Sequence, residues 1–120
     1  MPLQGIRGAI TVETDQPDSI LVATQELLAA ILNANPGLRT EDIASAFFTT
    51  TDNLVSTYPA LAARQMGWNH VPMMCAREIP VPGSLPRCIR VLIHWNTECE
   101  QKAVRHVYLR DATKLRPDLS

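Results

Sequence analysis

Cys88-Ile89-Arg90-Val91-Leu92-Ile93 has the composition of a β-strand in a protein core, except for one permanently charged residue near its centre. A guanidinium in a sheet core is energetically costly unless an anionic group meets it, and no carboxylate follows in the chain until Glu98. We predict a strand over residues 87–95 and infer that Arg90 binds an anionic ligand. An ion pair within the protein is the alternative.

A second arginine holds a similar position in the first predicted strand, which runs from Leu3 to Val12. Apolar and other residues alternate along it, as expected for a strand with one buried face. Arg7 lies in Gly5-Ile6-Arg7-Gly8-Ala9-Ile10, among residues too small to cover it. Because guanidinium groups suit carboxylates and stay charged in sheltered sites, two such arginines predict an anionic pocket.

An amphipathic helix is predicted after the first strand. Asp15 or Gln16 is placed to cap it, Pro17 suits its first turn, and Asn35-Pro36-Gly37 ends it. The apolar stripe that would face the core consists of Ile20, Ala23, Leu27, Ile31 and Ala34.

Turn-forming residues divide the remaining chain into short elements. We predict a strand over 43–51, for which a helical turn over 41–48 is the alternative, and a short helix from Pro59 to Met66. Further strands are expected over 71–77 and 104–109, and a stiff proline-rich connection over 80–86. The pattern predicts an α+β fold, a mixed five-stranded sheet packed with two helices. We expect the chain to form a single domain over 1–120, with a flexible C-terminal tail over about 112–120.

Composition limits the classes of function. With 120 residues, 46% of them apolar and 19% charged, the chain is typical of one globular domain. The formal net charge is −1 and basic residues are scattered, so we expect no nucleic-acid partner. No apolar run is long enough to span a membrane and the N-terminal residues do not resemble a signal peptide, so we expect a cytoplasmic protein.

The cysteines and histidines do not form a metal or disulfide pattern. They are Cys75, Cys88, Cys99, His70, His94 and His106. The number of cysteines is odd, none forms a CxxC pair, and the histidines lie in separate segments without HxH or HExxH spacing. We therefore expect no metal.

Four other side chains are candidates for a site, each with a simpler alternative. Glu78 could accept a hydrogen bond from a ligand hydroxyl, or pair with Arg77 on the surface. Cys75 could be a nucleophile but is more simply a small buried apolar residue. Tyr108 could be a packed ring, and Arg64 a solvated helix residue.

Several separated motifs resemble the small monofunctional chorismate mutases of the α+β class. They are Gly5 to Ala9, Cys75 to Glu78, Pro82 to Val91, Arg105 to Leu109, and Leu115 to Leu119. The resemblance runs along the whole chain. It implies a homotrimer with a pseudo α/β-barrel core and active sites in the clefts between subunits.

The resemblance also implies isomerisation of chorismate to prephenate on the route to phenylalanine and tyrosine, by a Claisen-type rearrangement without a cofactor. Arg90 would contact the ether oxygen, and Arg7 with Tyr108 would bind a carboxylate and fix the substrate's compact conformation. Glu78 would accept a hydrogen bond from the ring hydroxyl, with Cys75 beside it. None of these groups would act as acid, base or nucleophile.

Further substrate contacts are implied by the same resemblance. A neighbouring subunit would contribute Tyr58 and Arg64 from the segment Tyr58 to Arg64. Family members often have phenylalanine in place of Tyr58 and can have lysine in place of Leu61. The remaining implied substrate contacts are Met74, Leu115 and Arg116, of which Leu115 and Arg116 belong to a mobile end that covers the pocket.

Two other functions compete with the mutase. A non-catalytic binding module for a small dianionic metabolite would use the same arginines without a transition-state contact. A trimeric hydrolase or deaminase of related shape would use Cys75 as a functional thiol.

Overall fold

A computed structural model describes residues 2–115 and contains the predicted five strands and two helices. The elements in chain order are β1 (Leu3–Thr11), α1 (Pro17–Ala34), β2 (Ile43–Thr50), α2 (Pro59–Gln65), β3 (Met73–Arg77), β4 (Cys88–Asn96) and β5 (Val107–Leu109). Short 3₁₀ helices occupy Thr40–Asp42, Gln101–Ala103 and Arg110–Lys114. The α+β prediction is confirmed, and among the described residues no helix is long and apolar enough to cross a membrane.

The strands form one mixed sheet in the order β3-β2-β4-β1-β5. β4 pairs antiparallel with both β1 and β2, so the strand that carries Arg90 lies at the centre of the sheet. β3 runs parallel to β2 and β5 runs parallel to β1. In this register Arg90 lies between Ala9 of β1 and Thr49 of β2.

One face of the sheet packs against the helices and forms the main core. Side chains of alternate β4 residues, Ile89, Val91 and Ile93, are buried there together with four of the five predicted stripe residues of α1; the fifth, Ala34, is only partly buried. Gly8 allows the close approach of α1 to β1, because a Cβ at this position would lie 2.8 Å from Cδ1 of Ile31. The packing of α1 on β1 therefore requires glycine at position 8.

The opposite face carries the remaining residues of each strand and is less covered. Arg7 is the cross-strand neighbour of Leu92, which is in turn the neighbour of Phe47 on β2. Phe47 and Leu92 are both exposed. A small second cluster on this face joins Ala9, Cys88, Tyr108 and Ala112.

Of the two predicted cap residues of α1, the structure has Gln16 at the N-cap position. The helix begins after Gln16, whose side chain makes no capping bond. Asp15 instead accepts hydrogen bonds from the backbone N–H groups of Val55 and Ser56, at 3.0 and 3.1 Å. Its carboxylate ties the loop before α2 to the start of α1.

β3 and β5 are at least two residues shorter than predicted, whereas β1 and β2 are each shorter by one residue. β3 begins at Met73 and not at residue 71. β5 begins at Val107 because the preceding backbone is held elsewhere: the Asn35 side chain accepts from the N–H of Arg105 and donates to its carbonyl. Val104, also predicted as strand, is instead buried in the main core.

The C-terminal segment is only partly described. Ala112, at the start of the predicted tail, is fully buried within the 3₁₀ helix Arg110–Lys114. Residues 116–120, including the candidate Arg116, lie outside the described residues, so the mobility of the tail stays a prediction.

Candidate active site

A cavity of about 320 Å³ opens beside the central strand and contains both predicted arginines. It is lined by Arg7, Gly8, Phe47, Thr49, Glu78, Arg90, Val91, Leu92 and Tyr108. Four of the predicted catalytic residues, distant in sequence, are therefore brought together by the sheet register.

Arg90 is less buried than the sequence suggested, and it has a partner within the protein. Its side chain is 43% exposed at the cavity, because residues of β4 that alternate with the core positions face away from the helices. Nη1 lies 3.6 Å from Oε2 of Glu78. The ion pair within the protein, the alternative to a ligand, is therefore present, and the exposed guanidinium also faces the cavity.

Glu78 follows β3 directly and is positioned by neighbouring strand β2. Its backbone N–H donates to the carbonyl of Thr50 at 2.9 Å, and its carboxylate accepts a hydrogen bond from the Thr49 hydroxyl. The side chain is 26% exposed and pairs with Arg90 across the sheet, not with the adjacent Arg77. The simpler surface-pair alternative is therefore not what the structure contains.

Arg7 and Tyr108 face the cavity from β1 and β5. Within residues 2–115, no carboxylate forms an ion pair with Arg7, so its guanidinium can receive one from a ligand. Tyr108 is only 4% exposed, and its hydroxyl is a buried polar atom without a hydrogen-bond partner among these residues. An unsatisfied buried hydroxyl at a cavity is a group that a polar ligand can satisfy.

Cys75 does not join these residues within one chain. Parallel pairing sets Cys75 opposite Phe48, whose side chain lies in the core, and successive strand residues face opposite sides of the sheet. Cys75 instead lines a second cavity, of about 390 Å³, together with Tyr58 and Pro59. The expectation that it lies beside Glu78 fails within the single chain.

Of the other predicted contacts, Tyr58, Arg64 and Met74 lie apart from the arginine cavity, and Leu115 does not. Arg64 is exposed on α2, and Met74 is 64% exposed on the outermost strand, β3. Tyr58 is 69% exposed at the start of α2. Leu115 packs against the small cluster that includes Tyr108, which brings it close to the first cavity.

Five cavity residues were not singled out as site residues from the sequence: Gly8, Phe47, Thr49, Val91 and Leu92. Alternation along β2 implies that Phe47 and Thr49 share a face. It does not indicate which other strand they meet, so the pattern alone could not connect them with Arg90.

The cysteine nearest the cavity is unsuited to nucleophilic chemistry. Burial raises the pKa of the Cys88 thiol to about 11; the Glu78 carboxylate also raises it, while the Arg90 guanidinium acts to lower it. The thiol is therefore protonated near neutral pH. Among the described residues, no cluster of three or more histidine, cysteine or acidic side chains could hold a metal ion.

The cavity contains two guanidinium groups, one carboxylate and one unsatisfied hydroxyl. Because the cations outnumber the carboxylate, it suits a small anionic ligand. Fold and site together define a small α+β protein with a preorganised anion pocket.

Comparisons with known proteins agree with this class. The family model described as chorismate mutase type I matches residues 3–119. The chain is 58% identical over 117 residues to chorismate mutase AroH of Thermus thermophilus, covering 98% of this chain and 96% of that protein. It is 42% identical over 121 residues to chorismate mutase AroH of Bacillus subtilis (strain 168), covering 100% and 94% respectively.

A solved structure supports the same relationship. The chorismate mutase from Clostridium thermocellum superposes with a TM-score of 0.89 at 47% identity, covering 92% of this chain and 97% of that one. The chain belongs to the type I chorismate mutase family, and the resemblance inferred from its motifs is confirmed. Members of this family are isomerases.

Proposed function

We propose that this enzyme converts chorismate to prephenate in the cavity formed by Arg7, Glu78, Arg90 and Tyr108. The observation that supports this assignment best is the meeting of both guanidinium groups with one carboxylate in a single cavity of about 320 Å³. The substrate is a dicarboxylate that carries a ring hydroxyl, so its polar groups complement those of the pocket.

Arg90 acts on the bond that breaks. In this pericyclic rearrangement an ether C–O bond breaks as a C–C bond forms, and electrons move around one ring without transfer of a proton. Negative charge gathers on the ether oxygen in the transition state. A guanidinium already fixed on the central strand stabilises that charge more strongly than it stabilises the ground state.

Arg7 and Tyr108 hold the substrate in its reactive shape. A carboxylate bound between them restrains the flexible side chain of chorismate close to the ring, so that the two carbons to be joined approach each other. Glu78 accepts a hydrogen bond from the ring hydroxyl. Its ion pair with Arg90, at 3.6 Å, also helps to orient the guanidinium before the substrate arrives.

The interactions of these groups can account for the barrier reduction that an enzyme of this kind needs. A millionfold acceleration corresponds to about 8 kcal/mol of barrier reduction. One preorganised donor can contribute roughly 3 to 4 kcal/mol, and restraint of the substrate can supply much of the remainder.

We further propose that three chains assemble and that a neighbouring subunit completes each pocket. Tyr58, Arg64, Met74 and Cys75 are candidate contacts from that neighbour, since they lie apart from Arg90 within one chain. Exposure of Phe47 and Leu92 beside the arginine cavity supports this arrangement, because apolar surface there would be buried by another subunit. Leu115, which packs against the cluster that contains Tyr108, covers the ligand. The enzyme works in the cytoplasm.

The decisive experiment mixes the purified protein with chorismate and follows the loss of its ultraviolet absorbance, with prephenate measured as the product. We expect rearrangement far above the spontaneous rate. Binding of chorismate without acceleration would replace the proposed enzyme with a non-catalytic binding module.

A further inference from the structure

Side chains complete the edge of β1 where its neighbouring strand is missing. β5 pairs only with Gly8, Ala9 and Ile10, although β1 starts at Leu3. The backbone N–H groups of Gly5 and Arg7 therefore lie beyond the ladder formed by β5.

Each of these two N–H groups has a side-chain acceptor. The Gln101 side chain accepts from the N–H of Gly5 at 2.8 Å and donates to its carbonyl at 2.7 Å. His106 accepts from the N–H of Arg7 through Nδ1 at 2.9 Å. The Gln101 and His106 side chains therefore continue the hydrogen bonding along the edge of β1 beyond β5. One of the residues that they hold is Arg7, whose side chain lines the cavity.

The bond to Arg7 defines the chemical state of the imidazole. A backbone N–H can only donate, so Nδ1 must be the unprotonated nitrogen of the ring. The bond is partly buried, and loss of the acceptor would leave the N–H of Arg7 poorly satisfied.

His106 also connects Arg7 to Tyr108. It directly precedes β5, in which Tyr108 pairs with Ala9. The hydrogen bond from the Arg7 N–H to the His106 side chain therefore continues the parallel alignment of β1 with β5 by one more residue. Arg7 and Tyr108, which bind one substrate carboxylate between them in the proposed function, both depend on this alignment of β1 with β5.

We propose that His106 is a positioning residue for Arg7: its unprotonated Nδ1 holds the β1 backbone so that the Arg7 guanidinium points at the substrate carboxylate. This inference rests on the proposed function only for the identity of the bound substrate. Gln101 provides the contrast, because Gly5, the residue that it holds, does not line the cavity.

The test compares two amide substitutions at residue 106. Oδ1 of asparagine can occupy the place of Nδ1, whereas the acceptor of glutamine lies one bond further from the backbone. We expect His106→Asn to keep KM for chorismate within about twofold of wild type, and His106→Gln to raise KM about tenfold with kcat changed less, as for loss of a substrate-binding interaction. Gln101→Ala, the matched control on the same strand edge, should keep the wild-type KM.

Amide hydrogen exchange over residues 3–8 gives a second measurement that does not need activity. Protection of this segment should persist in His106→Asn and fall in His106→Gln. A wild-type KM and protection in His106→Gln, or equal impairment in both variants, would overturn the proposal. If the wild-type protein does not rearrange chorismate, the proposed function fails, while the exchange comparison still tests whether His106 holds Arg7.

Discussion

Nη1 of Arg90, on the central strand β4, lies 3.6 Å from Oε2 of Glu78, which directly follows the edge strand β3. The hydroxyl group of Thr49, on β2 between these strands, donates a hydrogen bond to the same carboxylate oxygen. The pair orients a guanidinium that remains accessible from the cavity. Glu78 therefore serves both the proposed substrate and the residue proposed to act on it.

Arg90→Lys should separate charge from geometry. Lysine keeps the positive charge but replaces the planar fork with a single ammonium group, so we expect kcat to fall by about a hundredfold or more. The affinity for prephenate, measured by calorimetry, should change much less. Arg39→Lys is the matched control, because Arg39 forms an exposed ion pair with Glu41; an unchanged kcat in Arg90→Lys would remove Arg90 from its assigned role.

Glu78→Gln should weaken the orientation of Arg90 while keeping an acceptor for Thr49. We expect a fall in kcat/KM of about tenfold, and a larger fall in Glu78→Ala, which removes the acceptor as well. Steady-state kinetics measure both variants. Glu100→Gln, which disrupts an exposed pair with Lys102, should leave kcat/KM unchanged; equal values for wild type and Glu78→Ala would contradict the proposed contact.

Cys75→Ala should retain most of the wild-type kcat. The reaction needs no nucleophile, and Cys75 lies on the opposite side of the sheet from Arg90 within one chain. The rate of chorismate loss measures this variant. Complete loss of turnover with substrate binding intact would favour thiol chemistry and the competing hydrolase or deaminase.

Gly8→Ala should destabilise the fold. The added methyl would lie 2.8 Å from Ile31 and 3.2 Å from Val91, so side chains of the core must shift. We expect the free energy of unfolding to fall by about 1–3 kcal/mol, measured by urea denaturation. Gly5→Ala is the control, since its nearest neighbour, Cδ1 of Leu92, would be 3.7 Å away; equal losses in both variants would contradict the packing argument.

The assembled enzyme should contain three chains. One chain has a mass of 13.3 kDa, and sedimentation equilibrium would give the mass of the assembly directly. We expect chorismate turnover per chain to fall on dilution below the assembly's dissociation constant, because each pocket loses its neighbour. Full activity in a preparation with the mass of one chain would contradict the shared pocket.

Much of the fold was predictable because its elements have strong local patterns. Alternation in β1, the β-branched run of β4, the apolar stripe of α1 and the prolines at the starts of both helices are such patterns. The bounds of β5 were not predictable, since the strand is shortened by the distant Asn35 side chain, which holds the backbone of Arg105. The choice between Asp15 and Gln16 as the cap of α1 was not predictable for a similar reason, because Asp15 bonds to the distant loop at Val55 and Ser56.

The sequence by itself determined that Arg7 and Arg90 lie on strands and need an anionic partner, because the residue types and the alternation that show this are local. Its motifs also identified the family. Only the tertiary structure decided that Glu78 meets Arg90, that Cys75 faces the other side of the sheet, and that His106 holds Arg7. These contacts depend on strand order and register, and a shift of one residue in register moves every side chain of a strand to the opposite face.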